Sequence, residues 1–231
     1  MRELRRAAAV AATAAIAVAL AGCGGSDATA EPEATAAPSE TQPDESLFTF
    51  CDPVAVPAPR QAEGDASPAE LDPDATYRLV VETNCGSFTI TLDQQAAPET
   101  SASLVQLARD GYFDGTIFHR IVPGFVIQGG DPSQTGGGGP GYTTVDEPPA
   151  DARYVKGVVA MAKAASEAPG TAGSQFFVVT GADVGLPPEY AVVGKVTAGL
   201  TAVERIGELG DPASELPLEP VVVTSVTVEE S

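Results

Sequence analysis

From Tyr77 onward, short runs of strand-forming residues are separated by turn residues. Tyr77 to Thr83 and Ser87 to Leu92 are two such runs, and Asn84-Cys85-Gly86 between them predicts a hairpin. Pro98 to Asp110 changes period: Leu104, Val105, Leu107 and Ala108 fall on one side, with Gly111 as the stop, which predicts a helix. Further short strands are predicted around Phe118 and over Phe125 to Gln128, Val158 to Met161, Phe176 to Thr180 and Val192 to Val196. A second helix is expected from Thr201 to Leu209, with Leu200, Val203 and Ile206 as its apolar stripe and Gly210 ending it. Val221 to Val228 closes as a strand. Many short strands with two isolated helices imply a barrel or sandwich rather than alternating βαβ units.

Upstream of Tyr77 the pattern differs. Arg2, Arg5 and Arg6 precede an apolar run from Ala7 to Ala21 that is too short to span a bilayer comfortably, so residues 1–22 read as a signal peptide. The run ends in Leu20-Ala21-Gly22-Cys23, which resembles a bacterial lipobox: small residues suit the peptidase, and the Cys23 thiol would accept the lipid. Residues 23–46, rich in Ala, Thr, Pro, Ser and acids, read as a disordered tether. Residues 47–76 form a Pro-rich arm that opens on the apolar cluster Leu47 to Phe50, and 77–231 is the folded domain. An extracytoplasmic location is thus expected, with attachment to the membrane through the lipid on Cys23 alone.

Composition narrows the function. The chain has 231 residues, a formal charge of −20, twenty-four Gly and twenty Pro. Such a charge repels phosphate backbones and no basic stripe offsets it, so nucleic acid is not an expected partner. Export to an oxidising compartment leaves Cys51 and Cys85 either paired as a disulfide or as two unrelated small buried residues. One His and no Cys-x-x-Cys give little basis for a metal site, and no cofactor is implied. Gly136-x-Gly138-x-x-Gly141 matches a dinucleotide pattern only literally, because Pro140 interrupts it and no amphipathic helix follows. No Gly-x-Ser-x-Gly elbow, His-Glu-x-x-His pair or phosphate loop is present.

Two segments place polar side chains among strand formers: Phe118-His119-Arg120-Ile121-Val122-Pro123-Gly124-Phe125-Val126-Ile127-Gln128-Gly129-Gly130-Asp131, and Gly173-Ser174-Gln175-Phe176-Phe177-Val178. An arginine on a largely apolar sheet face is costly without a use or a partner. In this order the two segments resemble the cyclophilin signature, and the similarity runs from about Tyr77 to Glu229, including Val193-Gly194-Lys195-Val196.

The resemblance implies an all-β fold with two helices, a closed eight-stranded antiparallel barrel capped by two α-helices. It also implies peptidyl-prolyl cis–trans isomerase activity on proline-containing polypeptides; the leader makes exported or cell-surface chains the expected clients, and a monomer is the default oligomeric state. The alternative is a non-catalytic proline-peptide binding lipoprotein. Matched motif to motif, Arg120 would be the catalytic arginine. Phe125, Val126, Phe177 and Leu186 would line the proline pocket. Gln128 and Gln175 would hydrogen-bond the peptide backbone, and the main chain at Ala162 and Lys163 would pair with it. Tyr190 stands where many members carry His, Val126 where Met is usual, and Lys163 where Asn is frequent, so a cation bordering the groove is expected to favour acidic substrates. Asp183 to Glu189 lacks the Trp of many members, which argues against tight binding of cyclosporin-like macrocycles. His119 reads as structural.

Overall fold

The computed structural model describes residues 51–65 and 67–231. The expected signal peptide, Cys23, the tether and the Leu47 to Phe50 cluster lie outside the described residues.

The strands are β1 (Tyr77–Thr83), β2 (Gly86–Leu92), β3 (Arg120–Val122), β4 (Val126–Gly129), β5 (Thr144–Val145), β6 (Val158–Met161), β7 (Thr171–Ala172), β8 (Phe176–Val179), β9 (Val192–Ala198) and β10 (Val223–Glu230). The helices are α1 (Pro98–Arg109) and α2 (Leu200–Glu208). Eight strands form one antiparallel sheet in the order β10-β1-β2-β9-β6-β8-β4-β3, and β5 pairs with β7 separately. Alternation sets the register. Leu79 and Val81 of β1 stand opposite Ile90 and Phe88 of β2 and opposite Val228 and Val226 of β10, so one face of each strand is apolar.

That face curls around a core in which Phe113, Phe118 and Phe176 meet edge to face, with ring centroids 6.1 and 6.0 Å apart along the chain of contacts. α1 buries Leu104, Val105, Leu107 and Ala108, as the spacing predicts, and α2 buries Val203 and Ile206. Pro98 suits the first turn of α1, where its missing N–H would be unpaired anyway. The Asp146 carboxylate accepts from the Thr100 N–H at 2.7 Å, placing an anion at that helix end.

The eight-stranded expectation holds, but the expected closure does not. The sheet is a curled half-barrel whose edge strands, β3 and β10, share no ladder. Upstream of β3 the chain meets the start of β10 around the bridge of Ile117 to Val222, with the Phe118 N–H on the Val221 carbonyl at 3.0 Å, the Val223 N–H on the Thr116 carbonyl at 2.9 Å and the Gly115 N–H on the Val223 carbonyl at 2.8 Å. At β3 itself the loop after α2 intervenes: the Ile121 N–H donates to the Glu215 carbonyl at 2.9 Å instead of to a strand. The edge is therefore satisfied by a loop.

The arm from 51 to 65 has no regular structure yet is fastened to the domain. Asp52, Arg60 and Gly64 donate their N–H groups to the carbonyls of Asn84, Pro132 and Pro140 at 2.7, 2.9 and 2.9 Å. The Arg60 guanidinium reaches the Tyr112 carbonyl at 2.6 Å. Cys51 and Cys85 are joined in a disulfide, both nearly buried. Beside it, Asn84 donates to the carbonyls of Asp52 and Pro220 and accepts from the Val222 N–H. One side chain thus ties arm, hairpin and last strand together.

Candidate active site

The site follows from the register of four strands. Arg120 on β3 stands opposite Gln128 on β4, Gln128 opposite Phe177 on β8, and Phe177 opposite Ala160 on β6. Directly opposed residues share a face, so these four form one row across the outside of the sheet. The neighbouring row, Ile121, Ile127, Val178 and Val159, is at most 1 % exposed and belongs to the core within. A one-residue slip would exchange the two rows.

Outside the sheet a second, smaller apolar cluster forms around Val126, Tyr154, Ala160, Phe177 and Val179, with Phe125, Ala162, Leu186 and Tyr190 packed on it. It leaves a cavity of about 190 Å³ lined by Arg120, Phe125, Val126, Gln128, Ala162, Lys163, Phe177, Leu186 and Tyr190. All but one of the residues matched on resemblance as binding or catalytic thus meet at one place. The tight turn between β3 and β4, with the Phe125 N–H on the Val122 carbonyl at 3.0 Å and Gly124 at φ 70°, brings Phe125 to the rim.

The exception is Gln175. Its Nε2 donates to the carbonyls of Gly136 and Gly138 at 2.9 and 2.8 Å, and its Oε1 accepts from Gln128 Nε2 at 3.0 Å. The amide is committed inside the protein, so the residue holds Gln128 and the glycine loop and has no donor left for a peptide. Gln128 keeps its oxygen. The Ala162 N–H is likewise engaged, donating to the Gln175 carbonyl at 2.9 Å, which leaves the Ala162 carbonyl and the Lys163 N–H outside the sheet ladder.

Lys163 also departs from expectation. Its side chain is only 3 % exposed; the ammonium lies 3.3 Å from Glu189 Oε2, donates to the Glu167 carbonyl at 3.2 Å and sits 5.5 Å from the centre of the Tyr190 ring. Its charge is therefore compensated within the wall, and the basis for a preference for acidic substrates disappears. Arg120 is more accessible, at 34 % of its side chain. Its Nε lies 2.6 Å from Glu215 Oε2, and its guanidinium carbon is 6.0 Å from the centre of the Phe125 ring.

Sequence reasoning did not single out Tyr154. Its ring is 1 % exposed and stands edge to face with Tyr190 at 5.9 Å. Its hydroxyl donates to the Tyr190 carbonyl at 2.8 Å and accepts from the Tyr190 N–H at 3.0 Å. Burial raises its pKa, which keeps the phenol proton in place for that bond. Tyr154 thus fixes the segment carrying Leu186 and Tyr190.

A wider cavity of about 660 Å³ adjoins the first, sharing Gln128, Ala162 and Lys163 and bounded by the glycine loop and by Gln61 of the arm. The loop is cradled by Asp131, whose carboxylate accepts from Ser133 and from the N–H groups of Thr135, Gly136 and Gly138. Burial alone would raise the Asp131 pKa; the hydrogen bonds from Ser133, Gly138 and Gly136 outweigh it and hold the carboxyl below its ordinary value. Among the described residues, no three His, Cys, Asp or Glu side chains gather as metal ligands would.

The chain is 35 % identical over 182 residues to peptidyl-prolyl cis-trans isomerase A of Mycobacterium tuberculosis, covering 71 % of this chain and 98 % of that one. To the isomerase ppi1 of Schizosaccharomyces pombe it is 37 % identical over 147 residues, covering 62 % and 93 %. A crystal structure of a Cryptosporidium parvum cyclophilin type peptidyl-prolyl cis-trans isomerase in the presence of the dipeptide Ala-Pro superposes with a TM-score of 0.61. It is 30 % identical and covers 66 % of this chain and 98 % of that one. The family model described as cyclophilin type peptidyl-prolyl cis-trans isomerase matches residues 78–228, and the chain belongs to that family.

Proposed function

We propose that the chain rotates X-Pro peptide bonds in polypeptides outside the cytoplasm, with Arg120 as its catalytic residue. The observation that carries the reading is the Arg120 guanidinium at the edge of an apolar cup formed by Phe125, Val126, Phe177, Leu186 and Tyr190.

Amide resonance sets a barrier of about 18–20 kcal/mol for X-Pro rotation. As the bond twists, resonance is lost and the proline nitrogen regains a lone pair. A guanidinium N–H near that nitrogen binds it better when twisted than when planar, which is the condition for acceleration. Arginine stays charged throughout, so no proton has to move. The cup holds the proline ring and excludes water, which strengthens the arginine contact. Gln128 and the main chain at Ala162 and Lys163 hold the flanking peptide, the adjoining cavity accommodates a longer chain, and Gln175 and Tyr154 position these groups. The cis-to-trans rate of a short X-Pro peptide, with and without Arg120→Ala, is the test.

The location rests on residues 1–46. A leader, the Leu20-Ala21-Gly22-Cys23 sequence and a polar tether favour an extracytoplasmic protein lipidated at Cys23, with exported or cell-surface chains as clients. The acidic domain would be repelled by anionic lipid, so the lipid alone would hold it at the membrane. Mass spectrometry of the membrane-extracted protein tests this: a chain beginning at Cys23 and carrying diacylglycerol supports it, and an unmodified Cys23 refutes it.

A further inference from the structure

We propose that Glu215 is a positioning residue for Arg120, and that the loop after α2 is built to deliver it. The proposal rests on the catalytic reading of Arg120.

The ion pair is short and uses Nε of the guanidinium, 2.6 Å from Glu215 Oε2. Holding Nε leaves the two terminal nitrogens for the pocket and fixes the plane of the group. At side-chain exposures of 34 % and 45 % the pair contributes little to stability, so its effect is on orientation.

The backbone supports this. Glu215 has φ 60°, the left-handed region, and it is neither Gly nor Asn. That conformation is costly for a residue with a long side chain, and such strain persists where surrounding structure imposes it. Here it does. The Glu215 N–H donates to the Asp211 carbonyl at 2.8 Å, and its own carbonyl accepts from Ile121, the residue after Arg120, at 2.9 Å. Asp211 knots the loop from inside, its carboxylate accepting from the N–H groups of Ala213 and Ser214 and from the Ser214 hydroxyl. At the loop entry, Gly210 lies so close to the Ile121 carbonyl that a side chain would collide with it. Glu215 is thus locked to β3 by its backbone while its carboxylate reaches the side chain next door. A glycine would suit the backbone better; what glutamate adds is the contact with Arg120.

The test compares the purified wild-type chain with Glu215→Gly, Glu215→Gln and Arg120→Ala, reading kcat and KM on an X-Pro peptide together with Tm. Glu215→Gly relieves the strain, so its Tm is expected to equal or exceed the wild type while kcat falls about ten-fold and KM stays within about two-fold. Glu215→Gln keeps an oxygen acceptor for Nε and is expected to retain most of kcat. Wild-type kcat in Glu215→Gly overturns the proposal, as does a Tm that falls together with kcat, which would mark a structural role. Glu215→Gln as impaired as Glu215→Gly overturns it too, because charge rather than placement would then be responsible. If Arg120→Ala itself turns over at the wild-type rate, the reading of Arg120 fails first. If only Glu215→Gly does, Arg120 stands and Glu215 falls.

Discussion

Gln128 and Gln175 meet amide to amide, with Nε2 of Gln128 donating to Oε1 of Gln175 at 3.0 Å across a sequence separation of 47 residues. Because Gln175 also holds the carbonyls of Gly136 and Gly138, it joins the floor of the proline cup to the loop bounding the wider cavity. One neutral hydrogen bond contributes about 0.5–1.5 kcal/mol. Gln175→Ala gives up all three of its side-chain hydrogen bonds and is therefore expected to lower Tm by a few degrees and, by freeing Gln128 and the glycine loop, to lower kcat/KM about ten-fold through a raised KM. Michaelis–Menten parameters on an X-Pro peptide check this, and an unaltered KM would contradict the arrangement.

The disulfide closes a loop with a sequence separation of 34 residues and anchors the arm beside the hairpin tip. Chain-entropy arguments give about 3–4 kcal/mol for a loop of this size. In a domain this large that corresponds to a Tm drop of about 10 °C on reduction or in a Cys51→Ser, Cys85→Ser double variant. Thermal unfolding with and without reductant measures it; equal Tm values would show that the link constrains nothing.

His119 offers a clean pH signature because it is the only histidine in the chain. Burial lowers its pKa; the charge of Asp131 and the backbone of Ile117 oppose the shift, and the charge of Arg120 adds to it. A depressed value in the folded state means that the unfolded chain takes up the proton first. The contribution to stability is then complete above the unfolded value of about 6.5 and is lost as pH falls through the folded value. Denaturant unfolding is expected to show stability declining below about pH 6.5 in the wild type, with that slope absent in His119→Gln. Identical slopes would mean that His119 titrates as it does in the unfolded chain.

Much of this architecture is legible in the sequence because it repeats locally. The β1–β2 hairpin, α1 and β6 occupy the residues that period and turn chemistry indicate. The two-residue strands β5 and β7 are too short for any period, and their pairing depends on where two long loops come to lie. The family pattern implies a closed barrel, yet closure turns on whether Ile121 donates to a strand or to Glu215, and no local signal tells these apart. The same holds at the site. The signature segments bring Arg120, Gln128 and Phe177 to one face because each stands on a strand whose alternation sets that face, while the turn before β4 carries Phe125 to the rim. Tyr154 and Glu215 act through contacts 36 and 95 residues away along the chain, from segments with no pattern of their own. Position along the signature indicates Gln175 and Lys163, but what their side chains touch depends on loops that only the folded chain brings near.

Arg120, at the lip of an apolar cup, is the residue proposed to stabilise the twisted X-Pro bond. Measuring the cis-to-trans rate of a short X-Pro peptide with wild-type chain and with Arg120→Ala tests this role most directly. Losing one well-placed donor to a transition state costs about 10²–10³ in rate, so kcat/KM is expected to fall by that factor while Tm stays nearly unchanged. Equal rates for the two proteins would remove Arg120 from the catalytic role. So would a wild type that binds the peptide yet leaves it at the uncatalysed rate, which would make the cup a proline-binding surface.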